Sequence, residues 1–333
     1  MSSFSLIKTA GYLPGKPIDL SFYRTESEEH EGFLQSGAYR HHIAEHESAA
    51  DMIVNASSAL INELNLDPAK DIDIILTNVS VPDQPFNGCG VEVKHRLGAK
   101  SKWIFDIHNT GCVSFVMLMT LAKSLMASNQ AKTALICCVQ SGAGRVFSDP
   151  QVLSRPESSV PGDGCGVGYF VANEQSPIKS IVHHSYGEYA TDMVAISDDK
   201  RKWWQHRETA LRIDLSEDRI PRIVMRGNRI VPQIIKEACQ EAGILPSVLN
   251  VLITNQPNRV FLRNWREALE LSKESQIETF DECGNMFGAA IPISLERGIS
   301  DGRIKKNDYV ALGGFSHAGD FAASAIIHWQ AGL

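Results

Sequence analysis

Apolar residues in this chain fall in two rhythms. Helix-length amphipathic segments alternate with short runs that are apolar throughout: DIDIILTN, KTALICCV, VGYFVA, NVLITN, DYVALGGF and SAIIHW. Runs of that length, bounded by polar turns, predict strands buried on both faces, and their alternation with helices predicts an α/β protein with central strands covered by helices. One pattern occurs twice. Ile53 to Asn78 and Ile230 to Asn255 each read as a helix, a turn containing Pro68 or Pro246, and a buried strand closing in Thr-Asn. Phe105-Asp106 likewise has a counterpart in Phe280-Asp281. Two copies of one α/β unit bring strand ends from both halves toward one central site; the rival explanation is chance similarity of two ordinary helix-strand units.

Composition narrows the class. A chain of 333 residues with 43% hydrophobic content buries a large core. The formal charge of -7, with Lys and Arg scattered, gives no footprint for nucleic acid or an anionic membrane. The opening MSSFSLIKTAGYLPG lacks a basic leader with a long apolar run, and no segment reaches membrane-spanning length, so the expectation is a cytoplasmic protein. The seven cysteines show no CxxC pair or repeated ligand spacing, which predicts neither a metal site nor a disulfide framework. The polar stretch Ser197 to Arg222 reads as a surface excursion between the halves, with Trp203 and Trp204 as a candidate rim for an anionic ligand.

The segment FDIHNTGCVSFVMLMTLAKSLM places a strand ending near Ile107, a Thr110-Gly111 turn, and a long apolar helix from Cys112. A thiol at a helix start meets unpaired backbone N–H groups, which favour a thiolate and supply oxyanion donors. Cysteines so placed are also ordinary packing residues. His108, just before the turn, has the bland reading of a core histidine.

Several segments resemble the type III β-ketoacyl-acyl-carrier-protein synthases of the thiolase superfamily, in that family's order and over nearly the whole chain. GYLPG and GAYRHHIAEHESAADMI are similar to its opening, FDIHNTGCVSF to its nucleophile turn, and PGDGCGVGYFV to its Gly-Asp-Gly strand start. MRGNRIV is similar to its second-half helix start, and DECGNMFGAAIPISLERGISDGRIKKNDYVAL to its asparagine segment. The resemblance implies a thiolase-like fold of duplicated α/β halves in five alternating layers of helices and mixed sheets. It sets the halves at 1–173, carrying Cys112, and 174–333, carrying Asn255 and Asn285. A homodimer, an acyl-Cys112 intermediate and no permanently bound cofactor are also implied.

The family's catalytic positions are Cys, His and Asn, and this chain matches Cys112 and Asn285. Where the histidine opens a His-Gln-Ala-Asn motif, the chain reads Asn255-Gln256-Pro257-Asn258. An amide donates hydrogen bonds but takes no proton near neutral pH. Aligned on the last strand, the family's glycine-rich loop becomes Ser316-His317-Ala318-Gly319, which offers His317 as a surrogate base and the Ala318 N–H, with that of Cys112, as an oxyanion donor; an ordinary hydrogen-bonded histidine is the rival reading. Phe86 matches a phenylalanine that closes the partner's acyl pocket, or else packs in the core. Arg259, Arg263 and Arg266 share one helix face and are candidates to grip phosphopantetheine or an acidic carrier protein, or form a solvated face. Glu31 and Gln35 stand where the fatty-acid enzymes clamp the coenzyme A adenine, which weakens the expectation of that donor.

The function so implied is acyltransferase: Cys112 takes an acyl group from a carrier-protein or coenzyme A thioester and passes it to a small-molecule acceptor in a fatty-acid-related or specialised pathway. The alternatives are decarboxylative condensation using Asn255, Asn285 and His317, and a non-catalytic partner subunit.

Overall fold

The computed structural model describes residues 3–23, 36–108, 110–128, 130–214 and 218–330. Glu31 and Gln35 lie outside them. One mixed sheet holds β1 (Ser5–Tyr12), β2 (Ile74–Val79), β3 (Trp103–Asp106), β4 (Thr133–Gln140) and β5 (Gly164–Val171) in the order β1-β5-β4-β2-β3. A second holds β6 (Ile178–Ser185), β7 (Val251–Thr254), β8 (Tyr309–Ser316) and β9 (Phe321–His328) in the order β7-β8-β9-β6. The two sheets repeat one plan. In each, the first strand pairs antiparallel with the last, the last antiparallel with the one before it, and that one runs parallel to the strand closing in Thr-Asn. A parallel bridge from Leu252 to Gln276 stands where the second sheet would carry the counterpart of β3.

Six helices fill three layers: α1 (Ala49–Leu64), α2 (Gly90–Leu97), α3 (Ser114–Ala127), α4 (Arg219–Glu241), α5 (Arg259–Ala268) and α6 (Ala290–Ser300). Helices α1 and α2 cover the outer face of the first sheet, while α4 covers that of the second with α5 beside it. Helices α3 and α6 lie between the sheets and touch both. The result is five alternating layers. The apolar sequence of α3 follows from this position, since Phe115, Val116, Leu118 and Met119 pack among Ile74, Leu76 and Ile136 of one sheet and Ile253, Val310 and Leu312 of the other. Caps set the helix starts: Ser48 and Asp51 form a reciprocal box at α1, and Asn258 Oδ1 accepts from Phe261 N–H at α5.

The polar stretch around Trp203 and Trp204 does not separate the two sheets. It forms a small hairpin, Ala195–Ser197 with Leu211–Ile213, after the second sheet has begun and before its long helix α4. Both tryptophans are exposed.

The Gly-Asp-Gly segment ties three loops together. Asp163 is fully buried, and its carboxylate accepts from Ile43 N–H at 2.9 Å, Ala143 N–H at 2.8 Å and Gly144 N–H at 2.7 Å. Burial pushes the carboxyl up to about 6 and outweighs these three donors, which pull it down. An acid whose folded value lies above its unfolded one contributes stability in acid that is lost as pH rises through about 6. Urea melts of the wild type and Asp163→Asn at about pH 4 and about pH 7, which bracket the ordinary carboxyl value and the raised one, test this. The wild type is expected to lose on the order of 2–3 kcal/mol that the asparagine variant, having no carboxyl to ionise, does not.

Candidate active site

The N-terminal edge of α3 carries Cys112, the candidate nucleophile. Gly111, at φ +47, turns the chain, Gly111–Val113 form a single 3-10 turn, and α3 follows directly, so Cys112 sits at the foot of the central helix. The residue keeps partial exposure. Its surroundings nevertheless decide against a resting thiolate: burial pushes the thiol up to about 12, overriding donation from the Asn255 side chain and from the backbone N–H groups of Cys112 and His317, while the charge of Asp320 acts with burial. The sequence expectation of a thiol lowered by the helix start is therefore reversed.

Asn255 stands at the end of β7, close enough to Cys112 to act on its thiol. Its side chain is buried, donating from Nδ2 to the Phe315 carbonyl at 3.0 Å and accepting from Phe315 N–H at 3.3 Å, while its own N–H bonds to Gly313. The amide is thus held to the neighbouring strand β8 in one orientation. Asn78, its counterpart at the end of β2, donates instead to the Ile107 carbonyl and braces the chain leading to Cys112.

Asn285 enters from the segment before α6. Its Oδ1 accepts from Phe287 N–H at 3.1 Å, and its Nδ2 makes no hydrogen bond to any described residue. The turn Phe287–Ala289 seats against the nucleophile turn so closely that a methyl on Gly288 would lie 2.1 Å from Ser114 Oγ and 2.9 Å from the Gly111 carbonyl.

The loop after β8 closes the site. His317 takes φ +46, a left-handed conformation that costs a residue with a side chain and that recurs where backbone is held for function. Its ring lies over Gly111, where an added methyl would be 3.1 Å from Nε2 and 3.2 Å from Cε1. The loop is clamped from behind by Arg226 of α4, which donates to the Ala318 carbonyl at 2.5 Å, pairs with Asp192 at 2.7 Å and lies 3.4 Å above the Tyr189 ring. The backbone N–H groups that favour the Cys112 thiolate are its own and that of His317, one residue before Ala318, the donor expected from the sequence.

Two family models match, for 3-oxoacyl-[acyl-carrier-protein] synthase III over residues 105–187 and for the C-terminal part of the same synthase over residues 239–329. Among similar proteins, a β-ketoacyl-[acyl-carrier-protein] synthase III of Methylococcus capsulatus is 27% identical, with 99% of this chain and 100% of that protein covered. One from Clostridium perfringens is also 27% identical, over 88% of each. The chain belongs to the thiolase superfamily, in its β-ketoacyl-acyl-carrier-protein synthase III-like branch. It is an enzyme of the ketosynthase and acyltransferase type. Solved structures show the shared fold: a 3-oxoacyl-(acyl carrier protein) synthase III from Pseudomonas aeruginosa superposes with TM-score 0.85 at 20% identity, covering 99% of each chain. A priming β-ketosynthase of a polyketide pathway gives 0.83 at 20%, covering 98% of this chain and 96% of that one.

In this synthase III-like chain Cys112, Asn255 and His317 come together, and Asn285 stands two residues before the turn that packs against Gly111 and Ser114. Phe86 is 95% exposed and far from a core role. His108 is exposed beyond the end of β3, so the core reading fails for it. Arg259, Arg263 and Arg266 line, with Lys273, a surface cleft of about 500 Å³. Arg259 pairs with Asp281 and Arg266 bonds to the Leu271 carbonyl, whereas Arg263 has no such partner among the described residues. No group of three or more metal-binding side chains is gathered among the described residues, and no helix there is long and apolar enough to cross a membrane. Sequence reasoning missed Phe315, Arg226 and Asp320. The motif Ser-His-Ala-Gly-Asp carried the signal for the last, as a carboxylate three residues past a histidine in a glycine turn.

Asn255→Ala strips two partners from the buried backbone of Phe315 and a donor from Cys112. It should cost about 1–3 kcal/mol in urea melts. Timed mass spectrometry should also show slower alkylation of Cys112 by iodoacetamide than in the wild type.

Proposed function

We propose that this chain is an acyltransferase that forms a thioester on Cys112 from an acyl-carrier-protein or coenzyme A donor and hands the acyl group to a small-molecule acceptor in fatty-acid-related or specialised biosynthesis. The observation that carries the reading is Asn255: an amide with no useful proton affinity, fixed to the Phe315 backbone beside Cys112 where the family places a histidine. Decarboxylative condensation asks that position to stabilise an enolate, while acyl transfer asks only for a polarised carbonyl and a base.

His317 serves as that base. It takes the Cys112 proton, the sulfur attacks the donor thioester carbonyl, and the departing pantetheine sulfur receives the proton. The tetrahedral oxygen is held by the Cys112 N–H with the N–H groups of the His317–Ala318 loop, and Asn285 Nδ2 is free to join them. The halves 1–173 and 174–333 each supply part of this site. A cytoplasmic homodimer accounts for Phe86, whose ring projects into solvent, and for the open edge of β3 beside it, where Phe105 is also exposed. The cationic cleft of Arg259, Arg263 and Arg266 suits the phosphate of a pantetheine arm or an acidic carrier surface.

The free Nδ2 of Asn285 favours one second reading, decarboxylative condensation with Asn255 and Asn285 as enolate donors. Intact-mass spectrometry after incubation with acyl thioesters separates the two. The expected result is an adduct that Cys112→Ala abolishes, with no carbon dioxide released from a malonyl thioester. No adduct from carrier-protein or coenzyme A donors removes the proposal, and carbon dioxide formed in step with product transfers support to condensation.

A further inference from the structure

Asp320 has no role in the chemistry described so far, yet its carboxylate is the most specific partner the site contains. Its side chain is only 10% exposed, against 37% for His317, and both oxygens lie 3.0 Å from His317 Nδ1. The carboxylate is itself fixed, since Oδ1 accepts from Ser316 Oγ at 3.3 Å and from Phe321 N–H at 3.1 Å, and the Asp320 carbonyl accepts from Tyr186 N–H at 2.7 Å. The opposite nitrogen of the ring, Nε2, makes no hydrogen bond to any described residue and faces Gly111, next to the nucleophile.

From this geometry we infer that Asp320 is a positioning residue that holds His317 as the Nδ1–H tautomer, so that the Nε2 lone pair is directed at the Cys112 turn and, after acylation, at an acceptor bearing a hydroxyl or amine proton. An acceptor-only carboxylate can bond to Nδ1 only if the proton is there, which leaves Nε2 unprotonated in the neutral ring. A nitrogen in that state takes a proton and has none to offer a developing enolate. In the second half-reaction the acceptor O–H or N–H gives its proton to Nε2 as its heteroatom attacks the acyl carbonyl. The carbon–sulfur bond then breaks, and Cys112 leaves as thiolate and recovers that proton from Nε2, so the enzyme returns to its starting state. The arrangement applies the orienting logic of a nucleophile, an imidazole and a carboxylate with all three on two adjacent turns.

The inference rests on the proposed role of His317, and the experiment separates the two. Carbamidomethylation of Cys112 by iodoacetamide at neutral pH is timed by mass spectrometry in the wild type, His317→Ala, Asp320→Asn and Asp320→Glu. ¹⁵N-histidine spectra of the wild type and Asp320→Asn are recorded at about pH 8, above the ordinary imidazole value, with His317→Ala assigning the signal. His317→Ala and Asp320→Asn should each slow alkylation about tenfold or more, Asp320→Glu should recover part of the rate, and the protonated nitrogen should move from Nδ1 to Nε2 in Asp320→Asn. An unchanged rate in His317→Ala overturns the base reading itself. A slowed His317→Ala beside a wild-type rate in Asp320→Asn, or an Nε2–H tautomer in the wild type, overturns the role of Asp320 alone. Should Asp320→Asn fail to fold, the wild-type tautomer decides.

Discussion

The burial of one sulfur governs the site. Burial pushes the Cys112 thiol up to about 12 and so disfavours its thiolate, and the groups arranged around it bear on that cost. Neutral donors approach from Asn255 and from two backbone amides, which lowers the cost of the anion without adding a permanent charge. The nearby formal charge is the wrong sign: Asp320 acting directly on Cys112 opposes ionisation. Acting through His317 it does the reverse in the proposed mechanism, where the carboxylate orients the ring that takes the thiol proton. Both effects come from one side chain, and which prevails depends on the ring that stands between them.

Duplication explains why such a site sits at the centre of the molecule. Strands β2 and β7 end alike, in Thr-Asn, at equivalent places in the two sheets. In one copy the asparagine braces the backbone that leads to Cys112; in the other it is fixed to the neighbouring strand beside Cys112. The same strand-end geometry therefore serves support on one side and chemistry on the other, and the helix between the sheets fixes the distance between them.

Much of this was legible in the residues, and the exceptions have physical causes. Five of the six continuous apolar runs correspond to strands flanked on both sides within their sheets, and the sixth, β7, is an edge strand whose outer side meets the bridge to Gln276. The unannounced β1 and β6 are sheet edges, whose SLIKTAGY and IKSIVHHS carry polar residues that a buried run does not. Cys112, Asn255 and Asn285 were named because the family motif fixes their positions. Asp320 escaped because its pairing with His317 depends on a left-handed residue in the turn, which spacing alone does not reveal. The thiol shift was misjudged for a related reason: a helix start can be recognised from sequence, but the weight of protein packed around it cannot. The Trp203 hairpin was placed one segment too early because its composition marks a surface and says nothing of topology.

The elevated thiol has a consequence beyond acyl transfer. Each of the seven cysteines in this chain is pushed upward by burial, the nucleophile included. Peroxides and electrophiles select thiolates, so burial shields the six cysteines that have no base beside them. The exposure of Cys112 to such reagents then follows the ring that would take its proton, so the same proposed partner that enables acylation also sets its sensitivity to oxidants.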